Sequence, residues 1–68
     1  MNAEIAALKG EIRKLSPRAT AAGMALHDLS EELPAGWTSI PDVARTAFEA
    51  FAALDGARRR LNRLETEN

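Results

Sequence analysis

Apolar residues recur along both halves of the chain at alternating steps of three and four residues. The first series runs through Ile5, Leu8, Ile12, Leu15, Ala19, Ala22, Leu26, Leu29 and Leu33. The second runs through Ile40, Val43, Ala47, Ala50, Leu54, Ala57, Leu61 and Leu64. Because a heptad with two apolar positions is typical of coiled-coil helices, the two series predict an all-α fold of two long amphipathic helices.

A short segment containing Pro and Gly, which together interrupt helices, separates the two series. Ser39 and Asp42 have the spacing of an N-cap followed by an acidic residue at the third helical position, and Pro41 suits a first turn. We therefore predict an antiparallel two-helix hairpin. The elements of this single domain (residues 1–68) are helix 1 over about 3–33, a turn over 34–39 and helix 2 over about 40–66.

Folding such a hairpin pairs seam residues whose numbers add up to about 73. The expected pairs are Leu33 with Ile40, Leu26 with Ala47, Ala19 with Leu54, Leu15 with Ala57 and Ile12 with Leu61. Large residues face small ones in most layers, which is how interdigitated cores are filled.

Two residues of helix 1 disturb the helical pattern. Pro17 removes one backbone hydrogen bond and is expected to bend the helix on its outer side. The alternative is that Ser16 caps a new helix that begins at Pro17. Gly23 costs helical stability relative to Ala, and it would permit the close approach of another backbone.

The size of the chain limits how it can be stabilised. A domain of 68 residues has a small core and usually needs further support. The absence of cysteine excludes disulfides and Cys-ligated metal centres, and a single histidine excludes a His-rich cluster within one chain. The N-terminus shows no charged-then-apolar signal pattern, so we expect a cytoplasmic protein. Helix packing and oligomerisation remain as the sources of its stability.

Apolar surface outside the seams favours oligomerisation. Phe48 and Phe51 lie off the seam of helix 2, and Gly23 and Met24 form a neighbouring strip on helix 1. Burying a Phe side chain contributes about 1.5–3 kcal/mol, so two exposed ones per hairpin would leave much of that energy unused. We predict a symmetric homodimer that forms a four-helix bundle, with these four residues at the interface.

The charges are distributed unevenly along the predicted rod. Near the turn, five acidic residues outnumber one arginine, whereas basic residues dominate near the two chain ends. This layout matches the helix dipoles, because acids begin helix 2 and arginines end it. A functional alternative is a basic patch for RNA or an acidic protein. Its residues would be Arg13, Arg18, Arg58, Arg59, Arg60 and Arg63.

His27 is the one side chain with acid–base or ligand chemistry near pH 7. Glu31 lies four residues later on the same helical face, so the two can hold one cation together. One chain supplies too few ligands, and two His27 side chains across a twofold axis would make a nitrogen and oxygen site suited to Fe, Ni or Zn. A helix His followed by an acid is also common as a surface residue. No catalytic constellation is present, so we expect no enzyme.

The central run LHDLSEELPAGW (residues 26–37) closely resembles the middle of the small Rop-like helical proteins that are encoded among nitrogen-fixation genes. The block from Phe48 to Asp55 and the opening of helix 1 are similar to the same family. The resemblance implies a helical hairpin that dimerises and an accessory role around nitrogenase. It also implies metal handling through the histidine, which is His27 here.

Three functional hypotheses follow from these patterns and from the resemblance. The first is a non-enzymatic accessory protein of nitrogen fixation that binds a divalent metal at His27 of a dimer, during metallocluster assembly or metal delivery. The second is an adaptor that docks on a nitrogenase-related partner through Trp37 and the acidic turn. The third is RNA binding through the basic patch, for which no interleaved aromatic residue provides base stacking.

Overall fold

The computed structural model describes residues 2–67 and contains two long helices packed against each other. Helix α1 spans Asn2–Glu32, a short 3-10 helix spans Trp37–Ser39, and helix α2 spans Ile40–Glu67. The molecule is a rod with extents of 51 × 15 × 13 Å. The prediction of an all-α helical hairpin is confirmed.

Helix α1 passes through Pro17 without a break. The alternative in which a new helix begins there is therefore wrong. The seam residues on either side of it explain the continuity, because Leu8, Ala19 and Ala22 are all buried. Packing of one continuous seam outweighs the hydrogen bond that proline removes.

The turn is held by backbone hydrogen bonds and by one glycine. The Trp37 N–H donates to the Pro34 carbonyl at 3.3 Å, and the Ser39 N–H donates to the Gly36 carbonyl at 3.0 Å. Gly36 has φ 75°, a left-handed conformation that disfavours side chains. A Cβ atom there would also lie 3.5 Å from Leu29 Cδ1. The turn conformation is thus specific to glycine at this position.

The core is a single row of seam residues between the two helices. Its buried members are Leu8, Ala19, Ala22, Leu29, Ala47, Leu54 and Ala57. All of them belong to the two heptad series, and no buried residue of the described chain is polar or charged. Small side chains predominate, so the helices approach closely at the cost of a thin core.

Three seam residues that were expected to be covered are exposed. Leu26, Leu33 and Ile40 are 40%, 41% and 40% accessible to solvent. Leu33 and Ile40 flank the turn, where the two helices have ended and no third layer covers them. Leu26 lies at the edge of an apolar groove beside Phe48. The heptad therefore marks the side of each helix that packs but not how completely each seam residue is covered.

Contacts between the helices set their register. Lys9 Nζ lies 4.0 Å from Glu65 Oε2, and the Phe51 ring packs against Gly23. Facing residues thus have numbers that add up to about 74, one more than expected. This register fixes the height of every α2 residue relative to α1.

Candidate functional site

The side chains of His27 and Glu31 contact each other on the exposed surface of α1. The distance between His27 Nε2 and Glu31 Oε1 is 2.8 Å, and their side chains are 70% and 67% exposed. The four-residue helical spacing produces this contact, as the sequence predicts. The Ser30 hydroxyl donates a hydrogen bond of 2.6 Å to the His27 carbonyl and leaves the imidazole unobstructed.

One chain supplies only this pair of potential ligands at the site. Between residues 2 and 67, no group of three or more His, Cys, Asp or Glu side chains is arranged to hold a metal ion. A metal with three or four ligands would need donors from a second molecule or from solvent. Within one chain the pair thus supplies at most two ligands.

The aromatic face is the surface formed by Gly23 and Leu26 of α1 with Ala44, Phe48 and Phe51 of α2. An open groove of about 610 Å³ runs along it, lined by Leu26, Ala44, Phe48 and Phe51 among others. Phe48 is 75% exposed and Phe51 is 50% exposed. The hairpin therefore presents its largest apolar side chains to solvent.

The structure gives Gly23 a role within its own chain. A Cβ atom at Gly23 would lie 3.5 Å from Phe51 Cζ and 3.6 Å from Phe51 Cε2. The close neighbour is thus the ring of Phe51 rather than a second backbone. Met24, the next residue, is 62% exposed and lies beside this contact.

The pair of His27 and Glu31 lies next to the aromatic face. His27 follows Gly23 by one helical turn and so shares its side of α1. In the observed register Phe48 lies at the height of Leu26, within about 1.5 Å of the height of His27 along the rod. Any molecule that covers Phe48 therefore also approaches His27.

Trp37 lies at the turn end of the rod, in the 3-10 helix, and is 65% exposed. All residues from 31 to 40 are exposed, so the turn forms a protruding tip. This tip combines the indole with the nearby carboxylates of Glu31 and Glu32.

The six arginines of the predicted basic patch do not share one surface. Arg59, Arg60 and Arg63 line one groove of about 490 Å³ together with Glu11. Arg58 follows Phe51 by seven residues and therefore lies on the same side of α2 as Phe51, which is the side away from this groove. The patch is divided between two sides of the rod.

Two ion pairs were not predicted from the sequence. Arg59 Nε lies 2.9 Å from Asp55 Oδ2, and this pair could have been found from its four-residue spacing. Glu65 pairs with Lys9 across the hairpin. The interhelical pair depends on a register that the heptads specify only to within about one residue.

No helix between Asn2 and Glu67 has both the length and the apolar character that a bilayer crossing requires.

A sequence model of the Rop-like family matches residues 3–66. The chain belongs to the Rop-like family. It is 48% identical over 62 residues to a UPF0437 protein of Azorhizobium caulinodans, with 91% of this chain and 90% of the relative covered. It is 52% identical over 54 residues to a UPF0437 protein of Sinorhizobium fredii, with 79% and 81% covered.

A third member of the Rop-like family carries a genomic location in its name. It is the "UPF0437 protein in nifX-nifW intergenic region" of Frankia alni, 43% identical over 53 residues, with 78% of this chain and 65% of that protein covered. The resemblance to a family linked with nitrogen-fixation genes is thus confirmed. No solved structure gave a significant match.

Proposed function

We propose that this chain is a non-enzymatic accessory protein of nitrogen fixation, in which paired hairpins bind a divalent transition metal through His27 and Glu31. The metal would be Fe, Ni or Zn, to be delivered to or used in assembling a nitrogenase metallocluster. The link to nitrogen fixation is supported by the Frankia alni relative named for the nifX–nifW region. The metal chemistry is supported by the chain's own residues.

The observation that carries the proposal is the 2.8 Å contact between His27 Nε2 and Glu31 Oε1. Two ligand atoms bound to one tetrahedral zinc at about 2.0–2.1 Å lie about 3.3 Å apart. The pair must therefore open by only about half an ångström to admit an ion. Imidazole nitrogen with carboxylate oxygen suits Zn²⁺, Fe²⁺ and Ni²⁺.

A second chain would complete the site. The aromatic face lies at the height of His27, so a hairpin that covers Phe48 brings its own donors near the pair. The accessible surface of 5170 Å² exceeds by about 1,000 Å² the roughly 4,200 Å² expected of a compact monomer of this mass. A stable interface takes about 800 Å² from each partner, so the surplus is sufficient for a dimer.

Calorimetric titration with Zn²⁺, Fe²⁺ and Ni²⁺ tests the metal site. We expect wild type to bind one ion per two chains and both His27→Ala and Glu31→Gln to lose this binding by at least about tenfold. Asp28→Asn is the matched control, because it removes the neighbouring carboxylate that is not in the pair. Equal affinity in wild type and His27→Ala would contradict the proposal.

A second candidate function is supported by the exposure of Trp37. An indole that is 65% exposed at the tip of a rod is suited to docking in a pocket of another protein. The chain would then be an adaptor for a nitrogenase-related partner, with the acidic tip providing electrostatic steering.

Affinity capture from nitrogen-fixing cells, with the captured proteins identified, separates the two functions. The adaptor function predicts that a nitrogenase-related protein is lost with Trp37→Ala and retained with His27→Ala. The opposite result, with the partner lost only in His27→Ala, would favour metal-dependent association.

A further inference from the structure

The side of the hairpin opposite the aromatic face carries a charge pattern that the metal proposal does not use. Grooves on this side are lined by Glu11 and Ala25 of α1 and by Asp42, Arg60 and Arg63 of α2. Residues three, four or seven positions from these share the same side of each helix. The charged residues that they add are Glu4, Lys14, Arg18, Asp28 and Glu32 on α1 and Arg45, Glu49 and Glu67 on α2. Arg59 lines the same groove but pairs with Asp55.

We call this surface the charged face, because its two halves carry opposite charge. The half near the chain ends has four basic residues, Lys14, Arg18, Arg60 and Arg63, against three acidic ones. The half near the turn has four acidic residues, Asp28, Glu32, Asp42 and Glu49, against one arginine. These four basic and four acidic residues are all exposed, and within residues 3–67 none of the eight belongs to an ion pair.

The charges on this face are arranged unfavourably for a single chain. Lys14 and Arg18 lie one helical turn apart and repel each other, as do Asp28 and Glu32. The observed register places Arg60 at the height of Lys14, which adds to the like charge there. The two halves lie about 20 Å apart along the rod, well beyond the screening length of about 8 Å, so they cannot compensate each other.

We propose that the charged face binds a second copy of this chain in antiparallel orientation. A twofold axis perpendicular to the rod at the height of Ala21 and Ala53 superposes each basic half on the partner's acidic half. In that arrangement Lys14 faces the partner's Asp28, and Arg63 faces the partner's Asp42. Arg18 lies at the height of the partner's Glu49.

The parallel orientation is excluded by the same charges. A twofold axis along the rod would place Glu32 against the partner's Asp42 and Lys14 against the partner's Arg60. Like charges facing each other across an interface oppose association. Three acidic residues, Glu4, Glu11 and Glu67, lie within the basic half, and Glu11 shares its groove with Arg60 and Arg63.

This association is independent of the aromatic face, which lies on the other side of each hairpin. If both surfaces are used, four chains assemble; if only one is used, two chains assemble. Screening by salt weakens contacts between charges but spares apolar burial. High salt should therefore abolish association through the charged face while association through the aromatic face persists.

Sedimentation velocity of the full chain at 50 mM and 1 M NaCl tests the charged face. We expect a larger species at low salt that loses half of its mass at high salt. In Phe48→Glu, which blocks the aromatic face, we expect a dimer at 50 mM salt and a monomer at 1 M salt. A mass that is independent of salt in both proteins would overturn the proposal.

Charge reversal supplies a specific test in the Phe48→Glu background. The paired changes Lys14→Glu with Arg18→Glu make the α1 part of the face acidic, and Asp28→Lys with Glu32→Lys make it basic. Each pair alone should weaken association by about tenfold or more, and an equimolar mixture should restore it. Arg58→Glu, on the other side of α2 and outside every groove, is the control and should change nothing. Undiminished association in either reversed protein would overturn the proposal.

Spin labels report the orientation. Because the chain has no cysteine, Ala35→Cys in the exposed turn accepts a single label, again with Phe48→Glu. The antiparallel pair should give a distance of about 40 Å between labels at opposite ends of the assembly. A distance under about 20 Å would show parallel association and overturn the proposal.

Discussion

At the scale of single residues, Gly23 and Gly36 occupy different environments. Gly23 is in a helix, and an added Cβ would make an ordinary contact of 3.5 Å with Phe51. Gly36 has a positive φ, where an added Cβ is unfavourable whatever the available space. The same substitution should therefore have opposite effects at the two positions.

Gly23→Ala should stabilise the isolated hairpin by about 0.5–1 kcal/mol, because alanine has the higher helix propensity and its methyl group fits against Phe51. Urea unfolding monitored by circular dichroism measures the change. Gly10→Ala, where no atom lies within 4 Å of the added Cβ, is the matched control and should give a similar gain. A loss of stability in Gly23→Ala alone would mean that another backbone does approach this glycine.

Gly36→Ala should destabilise the hairpin by about 1–2 kcal/mol, because a left-handed conformation brings Cβ too close to the following carbonyl oxygen. The same urea experiment measures it, with Ala35→Gly as a control for loop flexibility. An unchanged midpoint in Gly36→Ala would show that the turn readily adopts another conformation.

At the scale of the helices, the seam tolerates a proline at its outer side. Pro17 is exposed while Ala19 is 1% accessible, so the proline lies away from the packed interface. The helix continues because its inner face is fixed by α2 on both sides of Pro17. Proline thus still destabilises the helix, but packing against α2 stabilises it by more.

Pro17→Ala should increase the free energy of unfolding by up to about 3 kcal/mol, the difference in helix propensity between the two residues. The change restores the missing N–H and removes the clash of the ring with the preceding turn. Thermal and urea denaturation should both show it. A decrease in stability would indicate that the curvature imposed by proline is required for packing against α2.

The sequence predicts the helices well because the 3–4 alternation has to match the geometry of packed helices. The helical pairing of His27 with Glu31 is predicted for the same reason, since four-residue spacing brings side chains together. Exposure of Leu26, and of Leu33 beside the turn, was not predictable in this way. The heptad records which face is apolar, whereas Leu33 lies where the opposite helix no longer extends. Leu26 has α2 beside it but lies at the edge of the groove that Phe48 lines.

The contact of Gly23 with Phe51 could not be predicted from the sequence either. Both residues were placed near one surface, but their mutual contact depends on the register between helices. A shift of a single residue would put the ring beside a different turn of α1. The donors that would complete the metal site are unpredictable for a related reason, because they belong to a second molecule.

At the scale of the whole molecule, the rod has too little core for the apolar surface that it carries. Phe48 is 75% exposed although it is among the largest apolar side chains of the chain. Phe48→Ser should therefore weaken the proposed symmetric dimer by about 2 kcal/mol per chain, about 4 kcal/mol in all or roughly a thousandfold in Kd, while leaving hairpin stability nearly unchanged.

Analytical ultracentrifugation over a range of concentrations measures this Kd. Trp37→Ser is the matched control, because Trp37 is another largely exposed aromatic residue and lies outside the groove of the aromatic face. Equal weakening by both substitutions would point to non-specific association of exposed aromatics instead of a defined face.

Native mass spectrometry in the presence of Zn²⁺ tests the central claim most directly, because it counts chains and metal ions in the same species. The proposed function predicts one ion for every two chains in wild type, no ion on the monomer and no ion on any species of His27→Ala. Metal bound to single chains, or the same metal content in wild type and His27→Ala, would contradict it.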